Sequence, residues 1–167
     1  MSRVNEPGDG TPPDAGARPD NPWGFVKIRL TSPDGQVETL WAEPVRPSVY
    51  RLDNEPFFSY GISSDDLIEA APDESGYLEF VRVVKASGNR TVRILFDKFP
   101  AKSTQGQELI ERLRAEGCSY EGAFSKLLAI TVPPNVSLDV VVSLLEKSGL
   151  RWEYANPTWE RPHGSKA

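Results

Sequence analysis

The spacing of apolar residues changes halfway along the chain, which excludes an all-helical bundle and an all-strand sandwich alike. From Trp23 to Lys85 apolar residues recur at every second position in short runs bounded by turn signals, the period of half-buried strands. Beyond Ala86-Ser87-Gly88-Asn89 strand-like runs alternate with stretches of helical period. The expected class is α+β: a small antiparallel β-barrel over residues 23–88, then a ferredoxin-like βαββαβ half over residues 89–160.

In the first half, Phe25, Ile28 and Leu30 form one strand that ends at the turn Ser32-Pro33-Asp34-Gly35. Val37 to Glu43 forms a second, with Glu38, Leu40 and Ala42 on the face opposite Val37, Thr39 and Trp41, and Pro44 and Pro47 are read as its stop. Val49–Leu52, Leu67–Ala70 and Tyr77–Lys85 complete five strands, and closure into a barrel would remove their edges. In the second half Thr91–Phe96 is a strand, and Thr104 with Gln107 reads as a capping box opening a helix that Gly117 ends. Tyr120–Phe124 and Leu127–Val132 pair as strands. Ser137 caps a helix whose Leu138, Val141, Val142 and Leu145 share a face, Gly149 ends it, and Arg151–Tyr154 is the last strand.

The ends read differently. Residues 1–22 hold five prolines, three glycines and four acidic residues, too little apolar surface to offset the entropy of ordering, so an N-terminal disordered tail is expected. Residues 161–167 read as a second short tail, and it carries the one histidine, His163.

Composition excludes several chemistries. With 167 residues the chain can bury a core without cross-links, and Cys118, its one cysteine, cannot form an intrachain disulfide. A net charge of -5 is the wrong sign for a nucleic-acid or anionic-membrane binder, and Thr91–Glu160 holds eight Lys/Arg against nine Asp/Glu, without a basic stripe. No apolar run reaches the roughly 18 residues of a membrane span, and the N-terminus lacks an apolar signal core, so a soluble cytoplasmic location is expected. Phosphate-loop, dinucleotide and nucleophile-elbow motifs are missing from the sequence. Asp65, Asp66 and Glu69 lack the spacing of a calcium loop and read as a turn with a capping aspartate. Cys118 has no nearby base in the sequence and reads as a small buried apolar residue. No catalytic residue, metal ligand or cofactor is assigned.

The order Glu38-Thr39-Leu40-Trp41-Ala42-Glu43, Tyr50-Arg51-Leu52-Asp53-Asn54, Pro56-Phe57-Phe58, Tyr60-Gly61 and Leu78-Glu79-Phe80-Val81-Arg82-Val83 resembles a bacterial family, the domain of unknown function numbered four-two-six-five. Cys118, Tyr120-Glu121-Gly122 and Leu128-Ala129 extend the likeness over most of Phe25–Tyr154. The resemblance implies a bacterial, soluble, intracellular protein and carries over no activity, cofactor or catalytic residue.

What remains is an aromatic group with polar neighbours: Trp41, Glu43, Asp53, Asn54, Phe57, Phe58 and Tyr60. These rings either fill the barrel or bind a partner, since aromatics dominate both settings. If the segment is extended, Phe57 and Phe58 point to opposite sides, and one must leave the interior. The expected function is a non-enzymatic module that binds another protein, a basic one, in an antitoxin-like or immunity-like role. The alternative is an enzyme acting on a small molecule through Asp, Glu, Tyr or Arg side chains. A deep pocket with convergent carboxylates would favour the enzyme, and an aromatic patch rimmed by acids the binder.

Overall fold

A computed structural model of the protein describes residues 24–96, 103–123 and 126–156. Both expected tails, His163 and Phe124 lie outside these residues. The class is α+β: the described residues form mostly strand, with two helices.

Five strands come first: β1 (Val26–Thr31), β2 (Val37–Arg46), β3 (Val49–Leu52), β4 (Leu67–Pro72) and β5 (Leu78–Lys85). Successive strands pair antiparallel, and β1 pairs in parallel with β5 through Ile28 and Leu78, so the sheet closes into a ring. The alternation in β2 sends Leu40 and Ala42 inward to meet Ile28, Leu52, Ile68 and Ala70, all fully buried. Their removal from water is the main stabilising term of this half.

Pro44 does not stop β2, contrary to expectation. The strand runs on to Arg46 because Pro44 stands opposite Tyr50 while Arg46 stands opposite Val49, leaving Val45 as an extra residue in a bulge. A proline, lacking an N–H, is tolerated where a bulge interrupts the ladder.

The second sheet comprises β6 (Arg90–Leu95), β7 (Ser119–Ala123), β8 (Leu127–Val132) and β9 (Arg151–Asn156), with α1 (Thr104–Ala115) and α2 (Leu138–Ser148) between them in the chain. The strands lie in the order β7-β8-β6-β9, every neighbour antiparallel. Val92, Ile94, Leu128 and Ile130 pack against Leu109 and Leu113 of α1 and Val141 and Leu145 of α2. Cys118 is buried in the same cluster, and burial pushes its thiol up to about 11, which keeps it protonated and unreactive near neutral pH.

The start of α1 is corrected by one residue. Ser103, extended at φ −117°, is the N-cap, and its hydroxyl accepts from the Gly106 amide, so Thr104 is already helical. A Ser-Thr pair offers two caps of equal chemistry, and only backbone angles distinguish them. Helix α2 is capped by Ser137 and stopped by Gly149, left-handed at φ 68°, as expected.

Because strand side chains alternate, Thr91, Arg93, Ala129 and Thr131 face away from the helices. Residues 53–66, which join β3 to β4, lie across that face and bury it.

Candidate functional site

The Asn54–Gly61 segment is irregular, yet its backbone is held at almost every residue. Glu38 sits on the inward side of β2 in phase with Leu40 and Ala42, where an unpaired carboxylate would be expensive. Its oxygens accept the amides of Phe57, Phe58 (3.2 Å) and Ser59 (3.0 Å) and the Ser59 hydroxyl (2.9 Å). Successive N–H groups converging on one anion form a backbone nest. From the second sheet Arg93, 2% exposed, donates to the carbonyls of Pro56 (3.1 Å) and Ser59 and to the Glu153 carboxylate (3.1 Å). Gly61, at φ 77°, donates its amide to the Ala155 carbonyl at 2.8 Å.

The two phenylalanines separate, although they sit in a bend and not in an extended stretch. Phe57, 4% exposed, packs on Ala129 and Leu127 of β8. Phe58, 42% exposed, lines a cavity of about 270 Å³ together with Leu30, Val37 and Ser59. Tyr60 is 54% exposed, yet fixed in direction: the Arg93 guanidinium lies 4.7 Å from its ring centroid, and its hydroxyl donates to Glu153 at 2.9 Å. Charge-assisted bonds and a cation over the ring both resist reorientation.

Three other residues of the expected site, Trp41, Asp53 and Asn54, form a second group. The buried Asn54 amide accepts from the Trp41 backbone N–H (3.0 Å) and donates to Glu121 (3.4 Å). Asp53 is exposed, and its amide donates to the Trp41 carbonyl. Trp41 is half-buried with Lys27 over its ring, and the exposed Glu43 pairs with Arg51 at 3.3 Å. The expected seven therefore form two groups, Phe58 with Tyr60 and Trp41 with Asp53 and Asn54, while Glu43 stands apart on β2 and Phe57 belongs to the core.

Beneath the segment lies a network that the sequence reading missed. Glu55, fully buried, accepts the hydroxyls of Ser64, Thr91 (2.7 Å) and Thr131 (2.7 Å) and the Ser64 amide (3.2 Å). Since Thr91 donates to Glu55, the Ser63 hydroxyl 2.6 Å away must donate to Thr91, and Ser63 in turn accepts from Asn156. Burial pushes the Glu55 carboxyl up, and its four donors pull it back. Asp66, also buried, accepts the amides of Ser63 (2.9 Å) and Ser87 (2.7 Å). No buried side-chain polar atom among the described residues lacks a partner. Glu38 and Arg93 did leave a signal, since each is a charged residue in phase with buried positions of its strand. Glu55 left none, because its burial depends on Thr91 and Thr131 arriving from the other half.

Chemically, this arrangement presents a rigid aromatic surface. Its buried carboxylates are saturated by donors, and no group of three or more His, Cys, Asp or Glu that could hold a metal occurs among the described residues.

Comparison with known proteins gives fold and family. No curated protein matches the chain. A solved structure, titled as the novel crystal structure of a hypothetical protein from Neisseria gonorrhoeae, is similar with a TM-score of 0.66 at 17% identity, over 81% of this chain and 97% of that one. At that identity the likeness concerns the fold alone. The family model described as Domain of unknown function (DUF4265) matches residues 38–154, from the Glu38 anchor to the strand that carries Glu153. The chain thus belongs to the DUF4265 family, a domain of unknown function, and the match takes in the whole junction segment with both of its anchors.

Proposed function

We propose that the protein is a non-enzymatic bacterial module that binds another protein through Phe58 and Tyr60. The observation that carries this reading is the exposure of two aromatic rings, 42% and 54%, on a segment whose backbone is fixed by the buried Glu38 and Arg93. Exposing a large ring forfeits burial energy, and rigid aromatic anchors beside a small pocket are the composition of an interaction hot spot. A cavity of about 270 Å³ beside Phe58 accepts one inserted side chain, not a drug-sized ligand. Acidic Glu43 and Asp53 and the net charge of -5 favour a basic partner, as an antitoxin-like or immunity-like role in the cytoplasm would require. No helix among the described residues is long and apolar enough to cross a membrane, which is compatible with that setting.

The same reading takes the closed ring as a small β-barrel and the second sheet as ferredoxin-like. The order β9-β6-β8-β7, with helices after β6 and β8, supports it. These two units would be the rigid bodies that grip residues 53–66 between them.

The test is photocrosslinking in cells with p-benzoylphenylalanine in place of Phe58, and, as a control, in place of Val81, an exposed residue of β5. A discrete protein adduct at position 58 and none at 81 is expected. Equal labelling at both positions, or no adduct at 58, contradicts the proposal.

A further inference from the structure

The second cavity lies at the other end of the ring. Strand β3 runs from Val49 to Leu52 and then into residues 53–66, and β4 returns from Leu67 to Pro72. The tip between β2 and β3, the end of β4 and the start of β5 therefore gather at the end remote from the junction. There a cavity of about 620 Å³ opens, walled by Val26, Pro44, Val45, Pro47, Pro72 and Leu78. Its volume lies within the roughly 300–1,000 Å³ of small-molecule sites, and barrel mouths are a common place for them.

Three features give it the character of a built site. The bulge at Val45 interrupts the alternation of β2, and Val45 and Arg46 both line the cavity. Ser48, also in the lining, holds a left-handed φ of 60° without being glycine, a strained conformation of the kind that concentrates at ligand sites. Its carbonyl accepts the Ala70 amide at 3.0 Å, which ties the hairpin tip down onto β4. Among the described residues the lining contains no Asp or Glu. Arg46 is exposed at the rim and makes no ion pair with any described residue, in a protein of net charge -5. A cation kept clear of the many available acids, beside an apolar cavity, is complementary to an anionic head on an apolar body.

We infer that this mouth binds a small amphipathic carboxylate, with its apolar body against the valine and proline walls and its carboxylate on the Arg46 guanidinium. The site is separate from the Phe58 surface and stands or falls without it.

The test is a titration of the isotope-labelled full chain, followed by amide NMR, with decanoate and with its uncharged isostere decanamide. Decanoate should shift the amides of Val45, Arg46 and Ser48 together with those of Val26 and Leu78, and should bind about tenfold more tightly than decanamide, the margin of a charge-assisted contact. Arg46→Gln should abolish that preference and leave decanamide binding unchanged, whereas Val45→Gln should weaken both probes. Shifts elsewhere, equal binding of the two probes, or an Arg46→Gln variant that keeps the preference would overturn the inference. So would concentration-dependent shifts of the same amides without any probe, because a second copy of the chain would then be the occupant.

Discussion

At the scale of single residues, the junction rests on charged side chains that have no exposed alternative. Arg93 satisfies two carbonyls and one carboxylate while itself buried, so Arg93→Met would strand the Pro56 and Ser59 carbonyls, whereas the half-exposed Glu153 keeps the Tyr60 hydroxyl. The expected cost is about 2–4 kcal/mol, measured by denaturant unfolding, because orphaned buried partners lose their full desolvation energy. Glu121 supplies a pH-dependent test. Burial is the main cause that pushes its carboxyl up from 4.5 to about 7, with the Glu55 and Asp53 charges adding and the Asn54 amide and Glu55 N–H opposing. In the unfolded chain the carboxyl ionises first as pH rises. The folded state therefore loses stability between about pH 4.5 and 7 and does not regain it above. Wild type should melt lower at pH 8 than at pH 5 by a larger margin than Glu121→Gln, and parallel melting profiles would show that Glu121 titrates normally.

At the scale of elements, most boundaries are local chemistry and so legible in the sequence. The turn at Ser32–Gly35, the Ser137 cap and the Gly149 stop each depend on residues within one turn of themselves. The misread boundaries depend on something further off. Pro44 stays in β2 because a bulge against β3 relieves the ladder, and of two adjacent hydroxyl residues it is Ser103, with extended backbone, that caps α1. That assignment is testable: Ser103→Ala should cost about 1 kcal/mol and Thr104→Ala only a few tenths, by thermal unfolding. The reverse order would restore Thr104 as the cap.

At the scale of the whole molecule, local reading runs out, because the candidate site exists only where the two sheets meet. Glu38, from the ring, and Arg93, from the second sheet, together hold residues 56–59 and meet at Ser59, and nothing in either strand names the other. Charge acts at this scale too. Glu43→Lys or Asp53→Lys should slow association with a basic partner, and the deficit should shrink as salt is raised, since both residues are exposed. An unchanged association rate at low salt would remove the acidic rim from the account.

Of two adjacent phenylalanines, Phe57 is buried in the core and Phe58 is exposed. Melting and partner affinity, measured on Phe57→Ala and Phe58→Ala of the full chain with the protein captured by crosslinking at position 58, test this division directly. Phe57→Ala should lower the melting temperature by roughly 10 °C, the consequence of a core ring lost at about 3–5 kcal/mol. Phe58→Ala should melt with the wild type and bind about tenfold more weakly or worse. A Phe58→Ala protein that binds with wild-type affinity, or that unfolds as readily as Phe57→Ala, would contradict the account.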